Sequence, residues 1–128
     1  MKLGALVGGS ATMIGPEATL GDAAEALVED AVGSLAVIAG RHLVGIVTER
    51  DLVRALASGA DAEDEQVVDW MAEAPDTFSP DVDVEEAAAW LLEVGYRHMP
   101  VMDDGELLGI VSIRDILWAI LGSDDERA

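Results

Sequence analysis

Cysteine is absent from the 128 residues, lysine occurs once, at Lys2, and histidine twice, at His42 and His98. Without thiols the chain has neither a disulfide framework nor thiolate metal ligation, a composition that fits a reducing cytoplasm. Seven basic residues stand against 26 acidic ones, for a formal net charge of −19. Such a surface repels phosphate backbones and anionic membranes, so neither nucleic acid nor membrane is an expected partner. No apolar run approaches the ~18 residues that a membrane-spanning helix needs. Met1 to Thr12 carries one lysine and a short apolar patch, as a signal peptide would. The alignment of Leu6 and Val7 with Trp70 and Met71, in the repeat described next, instead makes that segment part of the first structural unit.

Catalytic chemistry finds little support. His42 lies in or beside a hairpin turn, and no His/Asp/Glu cluster has metal-ligand spacing. The stretch from Gly4 to Gly9 lacks the Lys-Ser/Thr that closes a phosphate loop. The carboxylates are many, but no pair stands out as acid and base. The excess of Asp and Glu over a core of small residues fits a salt-rich cytoplasm, with a high-GC bacterium as the competing source. Unfolding at low ionic strength, where like charges repel over a longer Debye length, would favour the first.

What the chain does have is an internal repeat. Gly45-Ile46-Val47-Thr48-Glu49-Arg50-Asp51 returns 64 positions later as Gly109-Ile110-Val111-Ser112-Ile113-Arg114-Asp115. The offset holds without a gap from Pro16/Pro80 to Ala55/Ala119. Halves of about 60 residues bury too little surface to be comfortable alone, so they are expected to pack together. Two copies make a pseudo-symmetric pair rather than a solenoid.

Each copy changes hydrophobic period in the same order. Leu20, Ala23, Ala24, Leu27 and Val28 recur at helical spacing, as do Val84, Ala87, Ala88, Leu91 and Leu92. Thr19 with Asp22, and Asp83 with Glu86, offer N-cap and third-position acids. Two short apolar runs follow, 35–38 with 43–47 and 99–102 with 107–111, joined by the turn residues Ala39-Gly40 and Asp103-Asp104-Gly105, which predicts a hairpin in each copy. A second helix carries Leu52, Val53 and Leu56, or Ile116, Leu117, Ile120 and Leu121. Short strands at 12–14 and 77–78, stopped by Pro16 and Pro80, complete a β-α-β-β-α order. The expected fold class is therefore α/β (α+β), with a first domain over residues 1–58, an acidic linker over 59–66, a second domain over 67–121 that starts with a short helix at 67–71, and a flexible polar tail over 122–128.

An apolar strand running into Gly-Ile-Val-Thr/Ser-x-Arg-Asp, twice and in register, together with Arg97-His98-Met99-Pro100-Val101, resembles the cystathionine-β-synthase (CBS) domain family over almost the whole chain. The resemblance implies two tandem CBS units related by a pseudo-twofold axis, with clefts between them. It also implies binding of an adenosine-containing ligand, AMP, ADP, ATP, NAD or S-adenosylmethionine, with Mg²⁺ as a companion of ATP left open and no other cofactor required. Many pairs of this family associate into disc-like homodimers and report to an effector protein, here a separate and unknown one.

By position in the motif, the resemblance places Asp51 and Asp115 on the ribose diol and Thr48 and Ser112 near the ribose and phosphate. A carboxylate can accept both hydroxyls of a cis-diol, and the amides of a helix start suit phosphate. The same four-residue patterns also read as capping boxes, and the two roles can coexist. Arg50 and Arg114 precede the acids, and Arg97 and His98 open a strand. Arginine there can grip phosphate, or it can pair with the abundant acids. Tyr96, Met99 and Pro100 complete the set, the apolar ones as a wall for the base or simply as core. Val32-Gly33-Ser34-Leu35-Ala36 replaces Tyr96 to Pro100 in the first copy, so the two sites are expected to be unequal, the Asp115 site being the stronger.

Trp70, Trp90 and Trp118 all fall in the second half, and Trp118 takes the place of Arg54. They read either as core or, for Trp118, as a dimer face. The expected function is a cytoplasmic, non-enzymatic sensor that works by population shift. A ligand-independent dimerising adaptor is the main alternative, and an enzyme acting on nucleotides the least favoured.

Overall fold

The computed structural model describes residues 1–7 and 11–127. They form two compact units, one spanning Ala11–Pro75 and the other joining Met1–Val7 to the chain from Asp76 onward.

In the unit at 11–75, β1 (Met13–Ile14) leads to α1 (Leu20–Asp30), the hairpin of β2 (Ser34–Ala39) and β3 (His42–Thr48), and α2 (Glu49–Ala57). A 3-10 turn at Val67–Asp69 and β4 (Ala72–Glu73) close the unit. The sheet order is β1-β2-β3-β4, with β1 parallel to β2 and the other pairs antiparallel. Helix α1 starts where expected: the Thr19 side chain accepts from the Asp22 amide at 3.0 Å, and the Asp22 carboxylate accepts from the Thr19 amide at 3.1 Å. Its positions Leu20, Ala23 and Leu27 are buried, the i, i+3, i+7 stripe of a helix lying on a sheet. Together with Leu35, Val37, Val47 and Val67, Ala23 and Leu27 make the core.

The other unit repeats this with α3 (Val84–Val94), the hairpin of β5 (His98–Asp103) and β6 (Glu106–Ser112), and α4 (Ile113–Arg127). Val84, Ala87 and Leu91, the 64-residue equivalents of the α1 stripe, are buried with Met99, Val101, Val111 and Ile116. Each hairpin shifts register at the same repeat position, between Val37 and Ile38 and between Val101 and Met102. The second hairpin turns on Asp104 and Gly105, both at positive φ, the conformation that two-residue hairpin loops favour. Phe78 is reduced to a single parallel bridge with Val101.

Four expectations need correction. First, the units do not follow chain order. Leu3, in a 3-10 turn at Leu3–Ala5, is fully buried in the core with Val84 and Leu91, while Val67, its equivalent, is buried with Ala23 and Leu27. The leading segment of each copy thus completes the other copy's unit. Matching backbone bridges, Lys2 with Asp83 and Thr19 with Gln66, mark the exchange in both places. The reason is that a 3-10 turn carrying one large apolar residue has no preference of its own for either core, and long-range packing assigns it. Second, Asp83 occupies the N-cap position of α3 but makes no capping bond, and its carboxylate pairs instead with the Lys2 ammonium at 3.1 Å. Third, α4 stays helical to Arg127, through the stretch assigned to a tail, because no proline or left-handed residue stops it. Fourth, Trp70 falls in the unit at 11–75 rather than with Trp90 and Trp118.

Candidate functional site

Each repeat of the heptapeptide ends a strand and begins a helix. Thr48 is the last residue of β3 and the N-cap of α2, with extended φ/ψ of −123° and 167°. Opposite it in the ladder stands Ser34, and the amide of Glu49 donates to the carbonyl of Gly33 at 3.1 Å. In the other unit Ser112 pairs with His98, and the amide of Ile113 donates to the carbonyl of Arg97 at 2.9 Å. The backbone therefore brings the 97–98 segment beside Ser112 and the start of α4.

The capping reading is correct for both motifs. In the first, the Thr48 amide donates to Asp51 Oδ2 at 2.8 Å and the Asp51 amide to Thr48 Oγ1 at 3.4 Å. In the second, the Ser112 amide donates to Asp115 Oδ2 at 3.2 Å and the Asp115 amide to Ser112 Oγ at 3.0 Å. A cap uses one carboxylate oxygen, so the other can serve something else.

What the second oxygen does differs between the copies. Asp51 Oδ1 accepts from Arg54 Nη2 at 2.8 Å, and the Thr48 hydroxyl adds a 3.1 Å bond to Oδ2. Asp115 is exposed and carries no second side-chain bond among the described residues, and Trp118 stands in the place of Arg54. For Arg54 the pairing of arginine with the abundant acids holds, and its i, i+3 spacing from Asp51 is the signal for that partner.

The remaining candidates divide by exposure. Arg50, Arg97 and Arg114 are exposed and His98 is half-buried. Tyr96 is exposed, and its ring lies 6.0 Å from Trp90, which meets Phe78 edge-on at 5.5 Å. Met99 and Pro100 are fully buried, Met99 within the core that holds Leu3. Among the described residues no group of three or more metal-ligating side chains occurs, and no helix is long and apolar enough to cross a membrane.

The fold thus consists of two α+β units with a capped Thr/Ser-x-x-Asp at each strand-to-helix junction. A CBS domain model matches residues 10–58 and again 67–122, and the chain belongs to the CBS domain family. An uncharacterized 17.7 kDa protein of Acidianus ambivalens is 40% identical over 111 residues, 85% of this chain and 66% of that protein. The chain thus spans less than two thirds of the length of the curated relatives it first matches. Among solved structures, the CBS domain protein NE2398 is 30% identical with a TM-score of 0.89, covering 94% of this chain and 98% of that one. The CBS domain protein PAE2072 of Pyrobaculum aerophilum, solved in complex with AMP, is 26% identical with a TM-score of 0.84, covering 95% and 99%.

Proposed function

We propose that this chain is a non-enzymatic ligand sensor that binds an adenosine-containing molecule and, through it, modulates a separate protein. The observation that carries this reading is the Asp115 motif: a helix start with an exposed aspartate whose cap engages one carboxylate oxygen, and whose Ser112 and Ile113 are backbone-paired with His98 and Arg97. A ribose diol can donate to that carboxylate, and Arg97 or Arg114 can reach a phosphate held near the amides at the start of α4. The AMP complex of the similar Pyrobaculum protein supports the choice of ligand class. Binding would favour one of two conformations of unequal affinity, and the partner would read that shift.

Thermal melts with AMP, ADP, ATP, NAD and S-adenosylmethionine, with and without Mg²⁺, test the proposal. A ligand at ~100 times its dissociation constant adds about 2.7 kcal/mol to folding. The shift should fall most in Asp115→Ala and less in Asp51→Ala. The absence of a shift from all five ligands in protein stripped of bound nucleotide would refute the reading.

A ligand-independent dimerising adaptor has one observation of its own in its favour. Leu117, Trp118 and Leu121 on α4 are between 49% and 65% exposed, a large apolar surface on one helix. Homodimerisation through α4 is compatible with either reading, and only the sensor requires the ligand.

A further inference from the structure

We infer that Arg54 is a built-in competitor for the ribose site of the first copy, so that the Asp51 motif is held closed in the absence of ligand while the Asp115 motif is open. The inference rests on the reading that these two aspartates accept ribose hydroxyls.

The two motifs share their cap and differ at one oxygen. A carboxylate has about four acceptor sites on its two oxygens, and the donors already present set how many remain for a cis-diol and how strongly they compete with it. Around Asp51, Oδ2 accepts from both the Thr48 amide at 2.8 Å and the Thr48 hydroxyl at 3.1 Å. Its Oδ1 accepts from the Arg54 guanidinium at 2.8 Å. The Thr48 hydroxyl proton is therefore also committed. The Asp51 side chain is 15% exposed and that of Arg54 59%, so a largely solvated guanidinium is paired with a mostly buried carboxylate. A diol approaching Asp51 competes with a charge-assisted bond that is stronger than the one it offers in return.

Among the described residues no ion pair to Asp115 matches the one that Arg54 makes with Asp51. The residue one turn on is Trp118, which offers no cation and is itself exposed. Ser112 Oγ accepts from the Asp115 amide at 3.0 Å, and among the described residues its hydroxyl donates to no protein group. Three of the roughly four acceptor sites of Asp51 are thus taken, one of them by a cation, against one of four for Asp115 among the described residues. One turn after the aspartate the copies differ by Arg54 against Trp118, and only the arginine can pair with the carboxylate.

The closed state is held by one solvent-exposed guanidinium, so it is adjustable. Exposed ion pairs are worth at most about tenfold in an equilibrium, more commonly a few-fold, and salt weakens them. The first site should therefore bind weakly rather than not at all, and more tightly in high salt.

Adenosine is the decisive probe because it carries the diol without a phosphate that Arg54 could grip. Isothermal titration in the Asp115→Ala background reads the first site alone. Adding Arg54→Met, which keeps the alkyl chain and removes the charge, should tighten adenosine roughly five-fold there, whereas Arg54→Lys should leave it close to the parent. Raising KCl from 50 mM to 1 M should tighten adenosine in the parent and have a smaller effect in Arg54→Met. Circular dichroism melts check that each variant folds, and Arg54→Gln is the substitute if Arg54→Met does not. Adenosine binding that is unchanged or weakened by Arg54→Met overturns the competitor role while leaving the ligand reading intact. Failure of the wild type and every variant to bind adenosine or AMP at millimolar concentration overturns both.

Discussion

Shortening Leu3 to alanine tests the least expected feature of the fold, the packing of the N-terminal segment into the unit that contains the second repeat. Leu3 is 0% exposed and lies in one cluster with Val84, Leu91, Met99 and Ile116. Its turn is pinned by three backbone bonds of 2.9 Å, from the Leu3 amide to Val82, from Gly4 to Pro80, and from Val84 back to Met1. Because those bonds hold the backbone in place, the core cannot collapse freely onto the shortened side chain. The cost should therefore fall within the range for fully buried leucines, about 2–5 kcal/mol. For a unit of this size that lowers the melting temperature by roughly 8 °C or more. Urea unfolding followed by tryptophan fluorescence gives the stability change, and native-state hydrogen exchange gives its location. Protection should drop in α3, β5 and β6. A loss below about 1 kcal/mol would mean that Leu3 is not enclosed. A loss of protection confined to α1, β2 and β3 would mean that the segment stays with its own repeat. Either result refutes the exchange.

Other consequences can be checked with single substitutions. Ala31 ends α1 at φ 53°, where Gly95 ends α3 at φ 83°, so Ala31→Gly should stabilise by about 1 kcal/mol and Gly95→Ala should cost a similar amount, both measured by chemical denaturation. A Cβ on Gly45 would clash with the Met71 side chain and lie 2.9 Å from the Ala72 carbonyl oxygen, and Gly45→Ala should therefore cost about 1–3 kcal/mol by the same assay. Trp118→Ser should weaken self-association in sedimentation experiments. A wild type that is monomeric across the concentration series would remove the α4 interface altogether.

Exposed apolar positions on α4 and the acidic surface bear on the same question from opposite sides. With a net charge of −19, two copies repel at low ionic strength, so association through Trp118 should strengthen as salt is raised. That direction matches the one expected for adenosine at the Asp51 site. The two effects separate in the Arg54 variants, which leave α4 untouched.

By itself the sequence determined what depends on neighbours three or four residues apart. The Thr19–Asp22, Thr48–Asp51 and Ser112–Asp115 caps, the buried stripes of α1 and α3 and both hairpins follow from local spacing, and the residues needed for them are adjacent in the chain. The repeat likewise made the CBS pair legible before any coordinate. Tertiary structure decided what depends on distant chain or on a free choice of rotamer. Leu3 and Val67 exchange units because a lone apolar residue on a short turn is claimed by whichever core it fills. Met99, Pro100 and Val101 are buried in succession, which no alternation in five residues could reveal. Arg54 could have pointed to any of several acids, and only its 2.8 Å bond to Asp51 distinguishes a guarded motif from the open one at Asp115.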